Sequence, residues 1–432
     1  MDNRIALCTE LENEISRQGY SLSRFSQISG INRGILSATL NGNPPKPMSI
    51  NQLDTMNTAL GKPEGWLYEL FVEQCFDEQG KTNWRRVSAL LFRCIELNRN
   101  VLIDRILCLL LEDISYLNHV FELAEELIVD NPSDSVMQLY ECVVSNERNY
   151  QAERLAISHY RIFRYSIKRD IKQNFIAAVT FQAFCDRLPS YMQLDAWLQL
   201  ANVYYTANEW LLMEKCGDAL IELSNRLYKE KKYHNLKSER SFVVYYGQGY
   251  LMKSTFYQKV GQYEESTTYI RKYSDLSWLD DLDECGQQEV EHFKIFAQGN
   301  SYCTELYKGN FSVLDSYVAF LENYPKETIP GLLTILSTAN QYNIVVDHII
   351  EKFHEHITTN LYMDHSAKRK SVADNQYTNM CYQLAVYQSR HASQSTKLQN
   401  TIKRFDTSLR KCNMNLNLNY TSLLQNVIRS MP

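Results

Sequence analysis

The chain has little glycine and little proline for its length. Its 432 residues include 15 Gly and 9 Pro, and no glycine occurs between Gly80 and Gly217. Both residues interrupt regular secondary structure, so their scarcity favours long helices joined by tight polar turns. Apolar residues recur at spacings of three and four, as at Val87, Leu90 and Leu91, and no alternating pattern of strand length is present. The sequence therefore predicts an all-α fold.

The chain also lacks the signatures of membrane proteins, disulfide-rich domains and common enzymes. No apolar run reaches the roughly 18 residues of a membrane span, and the polar first residues are unlike a signal peptide, so we expect a cytoplasmic protein. The 11 cysteines form no C-x-x-C pair and are expected to be buried thiols. No G-x-x-x-x-G-K-[ST] loop, G-x-S-x-G elbow or H-E-x-x-H helix is present. We therefore expect no catalysis, no metal site and no cofactor.

The segment that begins at Ser21 predicts a short helix followed by a tight turn. Ser21 is a favoured N-cap residue, and the spacing of Leu22, Phe25 and Ile28 gives the helix one apolar face. Gly30 ends the helix, because glycine accepts the left-handed backbone conformation without a Cβ penalty. The chain then reverses direction within a few residues, as in a helix-turn-helix.

A second helix follows the turn and carries the predicted DNA-reading face. Asn32 can cap this helix. We expect Ile35, Leu36 and Leu40 to face inward. The outward positions are small or polar, apart from the long donor Arg33 near the N-terminus, which is the composition of a helix that enters a major groove. The predicted DNA-contacting residues are Arg24, Arg33, Gly34, Ser37, Ala38, Asn41 and Lys46.

A third helix begins at Ser49, and Leu53, Met56 and Leu60 complete the small core. The segments SLSRFSQISGIN, LNG and SINQLDTMNTALG follow one another in the order found in the Xre-like family of phage-repressor DNA-binding domains, which this part of the chain resembles. The resemblance implies that residues 1–65 form a helix-turn-helix domain that binds a double-stranded DNA operator.

Two features of this domain predict weak binding by a single copy. Gly34 replaces the long polar residue that many family members carry, so base reading would depend on Arg33, Ser37 and backbone fit. The domain is also neutral, which limits attraction to phosphates. Its basic residues are Arg4, Arg17, Arg24, Arg33, Lys46 and Lys62, and its acidic residues are Asp2, Glu10, Glu12, Glu14, Asp54 and Glu64. Domains that bind DNA weakly as single copies usually act as homodimers, which read two half-sites.

Degenerate repetition follows the predicted DNA-binding domain. Four segments place a glycine or asparagine turn beside an aromatic residue and before an expected helix, at Tyr150, Trp210, Tyr263 and Phe311. In tetratricopeptide repeats such an aromatic opens the second helix of a pair and packs back on the first, and GQYEES resembles that junction. The intervals exceed the usual unit of about 34 residues. We therefore expect an α-solenoid of elongated repeats, with an irregular helical bundle as the alternative.

A solenoid has a concave face, and polar stripes on its inner helices are candidate ligand contacts. Asn and Gln amides suit an extended peptide, because each can donate to a backbone C=O and accept from a backbone N–H. A polar helix face can equally be a solvated surface. The predicted peptide-binding residues are Asp195, Gln199, Asn202, Thr206, Tyr245, Gln248, His292 and Asn300.

The combination of an Xre-like helix-turn-helix with degenerate tetratricopeptide repeats resembles the RRNPP-type peptide-pheromone receptors, and especially the arbitrium-type receptors and their chromosomal relatives. The resemblance implies a homodimeric, quorum-sensing transcription regulator in which a short signalling peptide binds the repeats and changes dimer geometry and operator binding. It also implies three parts: residues 1–65, the repeats at 66–365, and C-terminal capping or dimerisation helices at 366–432. The alternative is a protein-interaction scaffold, or inhibitor of a partner, that no longer binds DNA.

Basic residues dominate from 367 to 411, where nine lysines and arginines face two aspartates. A second nucleic-acid surface is one interpretation of this segment. The other is a solvated face on terminal helices that cap the solenoid or pair with a second subunit. The residues concerned are Lys368, Arg369, Lys370, Arg390, Lys397, Lys403, Arg404, Arg410 and Lys411, with Asp374 and Asp406.

Overall fold

The computed structural model describes residues 3–42, 46–76, 82–130, 132–168, 170–280, 282–359, 371–391 and 401. Within these ranges the chain forms 21 α-helices and no β-strand, which confirms the predicted all-α class. None of the helices in these ranges is both long enough and apolar enough to cross a membrane. The fold divides into two compact units, residues 1–165 and 166–432.

The described part of the first unit is formed by helices of 6 to 15 residues. Its helices are α1 (Asn3–Arg17), α2 (Leu22–Ser29), α3 (Arg33–Leu40), α4 (Ile50–Ala59), α5 (Tyr68–Glu73), α6 (Trp84–Glu96), α7 (Asn100–Leu110), α8 (Leu117–Asp130), α9 (Asp134–Asn146) and α10 (Glu153–Ser166).

The second unit contains most of the long helices. These are α11 (Ile171–Gln182), α12 (Ser190–Thr206), α13 (Trp210–Lys229), α14 (Phe242–Lys259), α15 (Tyr263–Tyr273), α16 (Glu284–Tyr307), α17 (Leu314–Asn323), α18 (Thr328–Tyr342), α19 (Asp347–Lys352), α20 (His354–Thr359) and α21 (Ser371–His391).

One continuous hydrophobic core runs through the first unit. Leu7 of α1, Phe25 of α2 and Leu53 of α4 are fully buried in it. The same core extends without a break to Val143 of α9. The predicted boundary at residue 65 stays a prediction, because packing alone does not separate the first four helices from those that follow.

A polar hub centred on Asp54 strengthens the link between α4 and the next two helices. The hydroxyl of Tyr68 donates to one carboxylate oxygen of Asp54 at 2.6 Å. The guanidinium of Arg93 donates to the other oxygen at 3.0 Å. Burial and the hydrogen bond to Asp54 raise the pKa of Tyr68, so its hydroxyl remains a donor at neutral pH. One carboxylate therefore joins α4, α5 and α6.

The second unit is built from two rows of helices. The helices α12, α14, α16 and α18 are neighbours in that order. In the other row, α13 packs on α12 and α14, α15 on α14 and α16, and α17 on α16 and α18. Glycine allows close approach between the rows: a Cβ on Gly217 would lie 3.1 Å from the carbonyl oxygen of Gly249. Helix pairs thus recur along this part of the chain.

The same helix-terminating turn occurs at eight places among the described residues. In each, a residue with positive φ follows the helix, and the next residue donates its N–H to a carbonyl five positions back at 2.8 to 3.1 Å. This is the hydrogen-bond pattern of a Schellman cap, which satisfies carbonyls at the helix end. The left-handed residues are Gly19, Gly61, Asn98, Asn208, Lys231, Gly261, Gly309 and Asn343.

The predicted turn-aromatic junctions agree with the helices at three of four places. Trp210 and Tyr263 are the first residues of α13 and α15, and Phe311 opens a 3₁₀ turn before α17. At Tyr150 the predicted turn and the helix after it are present, but this side chain is 70% exposed and α10 begins only at Glu153. The chain there forms a turn closed by the N–H of Ala152, which donates to the carbonyl of Asn149 at 2.9 Å, and the ring lies on its exposed side.

The helix α21 links the two ends of the first row. The side-chain amide of Asn375 donates to the carbonyl of Thr206, at the end of α12, at 3.1 Å. At the other end, the amide of Asn340 in α18 donates to the carbonyl of Gln383 at 2.9 Å. The two contacts are made by side chains of α21 and α18 that are at least nine-tenths buried. The rest of the predicted C-terminal part, and most of its basic stretch, lies outside the described residues.

Candidate functional site

The local sequence positions α2 and α3 through three end contacts. The hydroxyl of Ser21 accepts from the N–H of Arg24 at 3.2 Å, as expected of an N-cap. Gly30 has φ of 70° and donates its N–H to the carbonyl of Ser26. The side chain of Asn32 accepts from the N–H of Gly34 at 2.8 Å. These contacts confirm the predicted caps and fix a turn of three residues between the helices.

The exposed face of α3 lies opposite a buried face formed by Leu36, Thr39 and Leu40. The buried set corrects the prediction. Ile35 was expected to face inward, yet it is 39% exposed, because it lies about 100° around the helix from Leu36. Ile28 of α2 is likewise 39% exposed, and Phe25 is the residue of that helix that fills the core.

The predicted DNA-contacting residues lie on this exposed surface. Within the described part of the chain, the guanidinium of Arg33 has no hydrogen-bond or ion-pair partner, whereas Arg24 donates to the side chain of Gln27 at 3.3 Å. Lys46 donates its backbone N–H to the carbonyl of Ala38 at 2.8 Å, which holds Lys46 against α3. All seven residues are exposed: Arg24, Arg33, Gly34, Ser37, Ala38, Asn41 and Lys46.

Gly34 has a structural reason to be glycine. A Cβ at this position would lie 3.1 Å from the side-chain oxygen of Asn32, the atom that caps α3. The small residue therefore leaves room for the cap. The close approach of the backbone to DNA that we predicted from the sequence is compatible with this role.

Some residues of the predicted polar stripe in the second unit form hydrogen bonds with other residues of the chain. Asp195 is 3% exposed and accepts from the hydroxyl of Tyr245 and, at 3.0 Å, from the N–H of Glu239. The Tyr245 hydroxyl also accepts from the N–H of Arg240 at 3.0 Å. Burial raises the pKa of Tyr245, and its hydrogen bond to Asp195 raises it further. Asp195 and Tyr245 are thus joined in a buried network rather than presented to a ligand.

The remaining stripe residues differ in exposure. Thr206 is buried, and its hydroxyl donates to the carbonyl of Val203 at 2.8 Å. The amide of Asn300 donates to the hydroxyl of Tyr273 at 2.8 Å. His292 is exposed on α16, with Nδ1 3.3 Å from a carboxylate oxygen of Glu289. The half-buried residues without a hydrogen-bond partner among the described ones are Gln199, Asn202 and Gln248.

Two lysines of α14 form a feature that sequence reasoning missed. Lys253 lies between the rings of Tyr257 and Tyr269, with Nζ 5.5 and 5.6 Å from the ring centroids. Lys259 lies between the rings of Trp210 and Tyr307, at 5.5 and 5.8 Å. Tyr257 lies four residues after Lys253 on α14, a spacing that the sequence shows, but the other three rings come from other helices. A lysine in the last turn of a helix, such as Lys259, is common, so the sequence offers no specific signal for its cluster.

In the ranges that the structure describes, no three His, Cys, Asp or Glu side chains are grouped closely enough to hold a metal ion. No protein-family model, curated protein or solved structure matches the chain.

Proposed function

We propose that the chain is a peptide-responsive, DNA-binding transcription regulator that acts as a homodimer. In this proposal α2 and α3 form a helix-turn-helix, and the helix pairs of the second unit form a tetratricopeptide-like array that binds a short signalling peptide. The single observation that carries the proposal is the capped pair α2–α3, whose second helix presents Arg33, Ser37 and Ala38 to solvent.

The chemistry of the exposed face of α3 supports DNA reading. Arg33 is the first residue of α3, and its guanidinium has no partner among the described residues. It can bind the O6 and N7 atoms of guanine with two hydrogen bonds. The short side chains of Ser37 and Ala38 one turn later permit close approach to the floor of a major groove. The exposed Ile35 adds an apolar group on the same helix.

The arrangement of the second unit supports a response to a ligand. Its first row consists of four neighbouring helices, and α21 contacts the first and the last of them. A ligand that prefers one curvature of this row would be coupled to the contacts of α21, since binding can shift a conformational equilibrium only through a difference in affinity. Among the predicted peptide contacts, the proposal retains Gln199, Asn202 and Gln248, and it gives Asp195, Thr206 and Tyr245 a structural role.

A gel-shift experiment tests the DNA-binding part of the proposal. The full chain is mixed at low salt with DNA fragments that adjoin its own gene, and the bound fragment is then used to compare two arginine variants. Arg33→Ala should weaken specific binding by about 1 to 3 kcal/mol if Arg33 contacts a guanine. The exposed Arg85→Ala, on α6, is the matched control for loss of one positive charge and should have little effect.

Absence of any retarded fragment at low salt would contradict the proposal and favour a protein-interaction scaffold. Equal binding by wild type and Arg33→Ala would place base reading elsewhere on the unit. The peptide-dependent part is tested by adding short secreted-peptide products encoded beside the gene and measuring the change in DNA affinity.

A further inference from the structure

The ends of three neighbouring helices in the second unit form a cluster of aromatic rings around one lysine. Lys259 is the last residue of α14, Tyr307 is the last residue of α16, and Trp210 is the first residue of α13. Tyr205, near the end of α12, contacts Trp210 edge to face with centroids 5.7 Å apart. Three consecutive helix pairs therefore form the cluster: the first and the third supply the rings, and the second supplies Lys259.

The two lysines of α14 show what is distinctive about this cluster. Lys253 also lies between two rings, but its ammonium is paired with Glu214 and, at 2.8 Å, with Asp218, and its side chain is only 6% exposed. Lys259 lies between rings in the same manner and has no acidic partner among the described residues. Its side chain is exposed. One lysine has its carboxylates within the chain, and the other is an exposed residue whose partners among the described residues are aromatic side chains.

The charge of Lys259 is secure at neutral pH. Interaction with Tyr307 is the largest contribution to its pKa, which is raised above the usual value for lysine. The neighbouring Lys308 is paired with Glu264 at 2.9 Å and Glu305 at 3.1 Å, so it does not offer a free ammonium. The cluster thus combines one positive charge that has no carboxylate partner among the described residues with aromatic faces on both sides, a combination that binds a carboxylate carried on an apolar or aromatic group.

We propose that Lys259, flanked by Trp210 and Tyr307, is the subsite that binds a carboxylate of the peptide ligand. The inference rests on the proposed function, because it names the chemistry of the ligand of the same helix array. The ammonium binds the carboxylate, and the two rings pack against the adjoining apolar part of the peptide. The carboxylate comes either from the peptide C-terminus or from an aspartate or glutamate side chain.

The experiment uses the full chain and three defined pools of random hexapeptides. The first pool has free C-terminal carboxylates and no Asp or Glu, the second is C-terminally amidated and contains Asp and Glu, and the third is amidated and contains neither. Peptides retained by the immobilised protein are quantified by mass spectrometry. We expect the first or the second pool to be retained about tenfold to a hundredfold more than the third, as befits a hydrogen bond to a charged group.

Three variants identify the group responsible. Lys259→Met keeps a long apolar stem between the rings but removes the charge, and it should lower retention of the preferred pool to that of the third. Lys259→Arg keeps the charge and should preserve the preference. Lys308→Met removes a lysine whose partners lie within the chain, and it should leave the preference unchanged. Because Lys259 is exposed, circular dichroism should show all three variants folded.

The outcomes separate this inference from the proposed function. Equal retention of all three pools by the wild type, or an unchanged preference in Lys259→Met, would overturn the carboxylate subsite alone. Retention of none of the pools by any variant would overturn peptide binding and the subsite together. Preference for the first pool assigns the contact to the peptide C-terminus, and preference for the second assigns it to an acidic side chain.

Discussion

The predicted DNA-binding surface lies on α3, and much of the predicted peptide-binding surface lies on α12 and α14. The residues of the two surfaces differ in how far they are exposed. On α3 the predicted polar residues remain exposed, because the eight-residue helix buries only Leu36, Thr39 and Leu40. On α12 and α14 the neighbouring helices cover almost every side, and Asp195 and Tyr245 bond to each other. A polar residue on a surface helix is therefore a better functional candidate than one inside a stack of helices, where internal hydrogen bonds compete for it.

The largest expected difference in the free energy of unfolding is between substitutions at two adjacent residues of α3. Leu36→Ala should lower the free energy of unfolding by about 2 to 5 kcal/mol, because Leu36 is fully buried and the truncation leaves a cavity. Ile35→Ala is the matched control and should cost less than about 1 kcal/mol, since Ile35 is 39% exposed. Urea unfolding of the full chain, followed by circular dichroism, measures both. Equal losses would show that α3 is rotated from the orientation described here.

Substitution of one glycine in α14 and one in α3 tests how closely each helix is packed. A Cβ on Gly247 of α14 would lie 2.3 Å from the ring of Phe293, so Gly247→Ala should cost about 1 to 3 kcal/mol through overpacking. On α3, Gly34→Ala gains helix propensity and disturbs the Asn32 cap, and these effects of about 1 kcal/mol each should nearly cancel. Thermal unfolding measures the stability of both variants. A smaller loss of stability in Gly247→Ala than in Gly34→Ala would contradict the packing of α14.

The buried network of the second unit gives a smaller but more specific effect. Tyr245→Phe removes the hydroxyl that donates to Asp195 and should lower the free energy of unfolding by about 1.5 kcal/mol or more. Asn202→Ala, at a half-buried position of α12, is the comparison and should cost less. Denaturant unfolding together with peptide binding separates the two roles. If Tyr245→Phe had normal stability but no longer bound peptide, Tyr245 would be a ligand contact and not a structural residue.

The smallest expected effect concerns pH and the first unit. Hydrogen bonds from Arg17, Lys62 and Gln18 lower the pKa of Glu14 to about 2. Because the folded pKa lies below the unfolded value of about 4.3, the contribution of Glu14 to stability is fully present above that value and is lost as the pH falls towards 2. Unfolding curves between pH 6 and 2.5 should converge for wild type and Glu14→Gln as the pH falls. Parallel curves would show that Glu14 is not paired.

The comparison also shows which features local sequence can predict. The caps at Ser21, Gly30 and Asn32 were identified correctly, because capping depends on residues within three positions of one another. The aromatic residues that open α13 and α15 were found for the same reason. The exposure of Ile35 was missed, since the spacing of apolar residues does not say how wide a face the neighbours cover.

By itself the sequence determined the all-α class, the ends of the short helices and the exposed composition of α3, because these follow from backbone preferences and from periodicity within a few turns. Tertiary structure decided which polar residues remain available. The bond between Tyr245 and Asp195 spans 50 positions, and that between Asn375 and Thr206 spans 169. It also decided that Lys259 lies between rings from α13 and α16 without an internal carboxylate among the described residues. Contacts between distant segments depend on how helices stack, and no local pattern encodes that stacking.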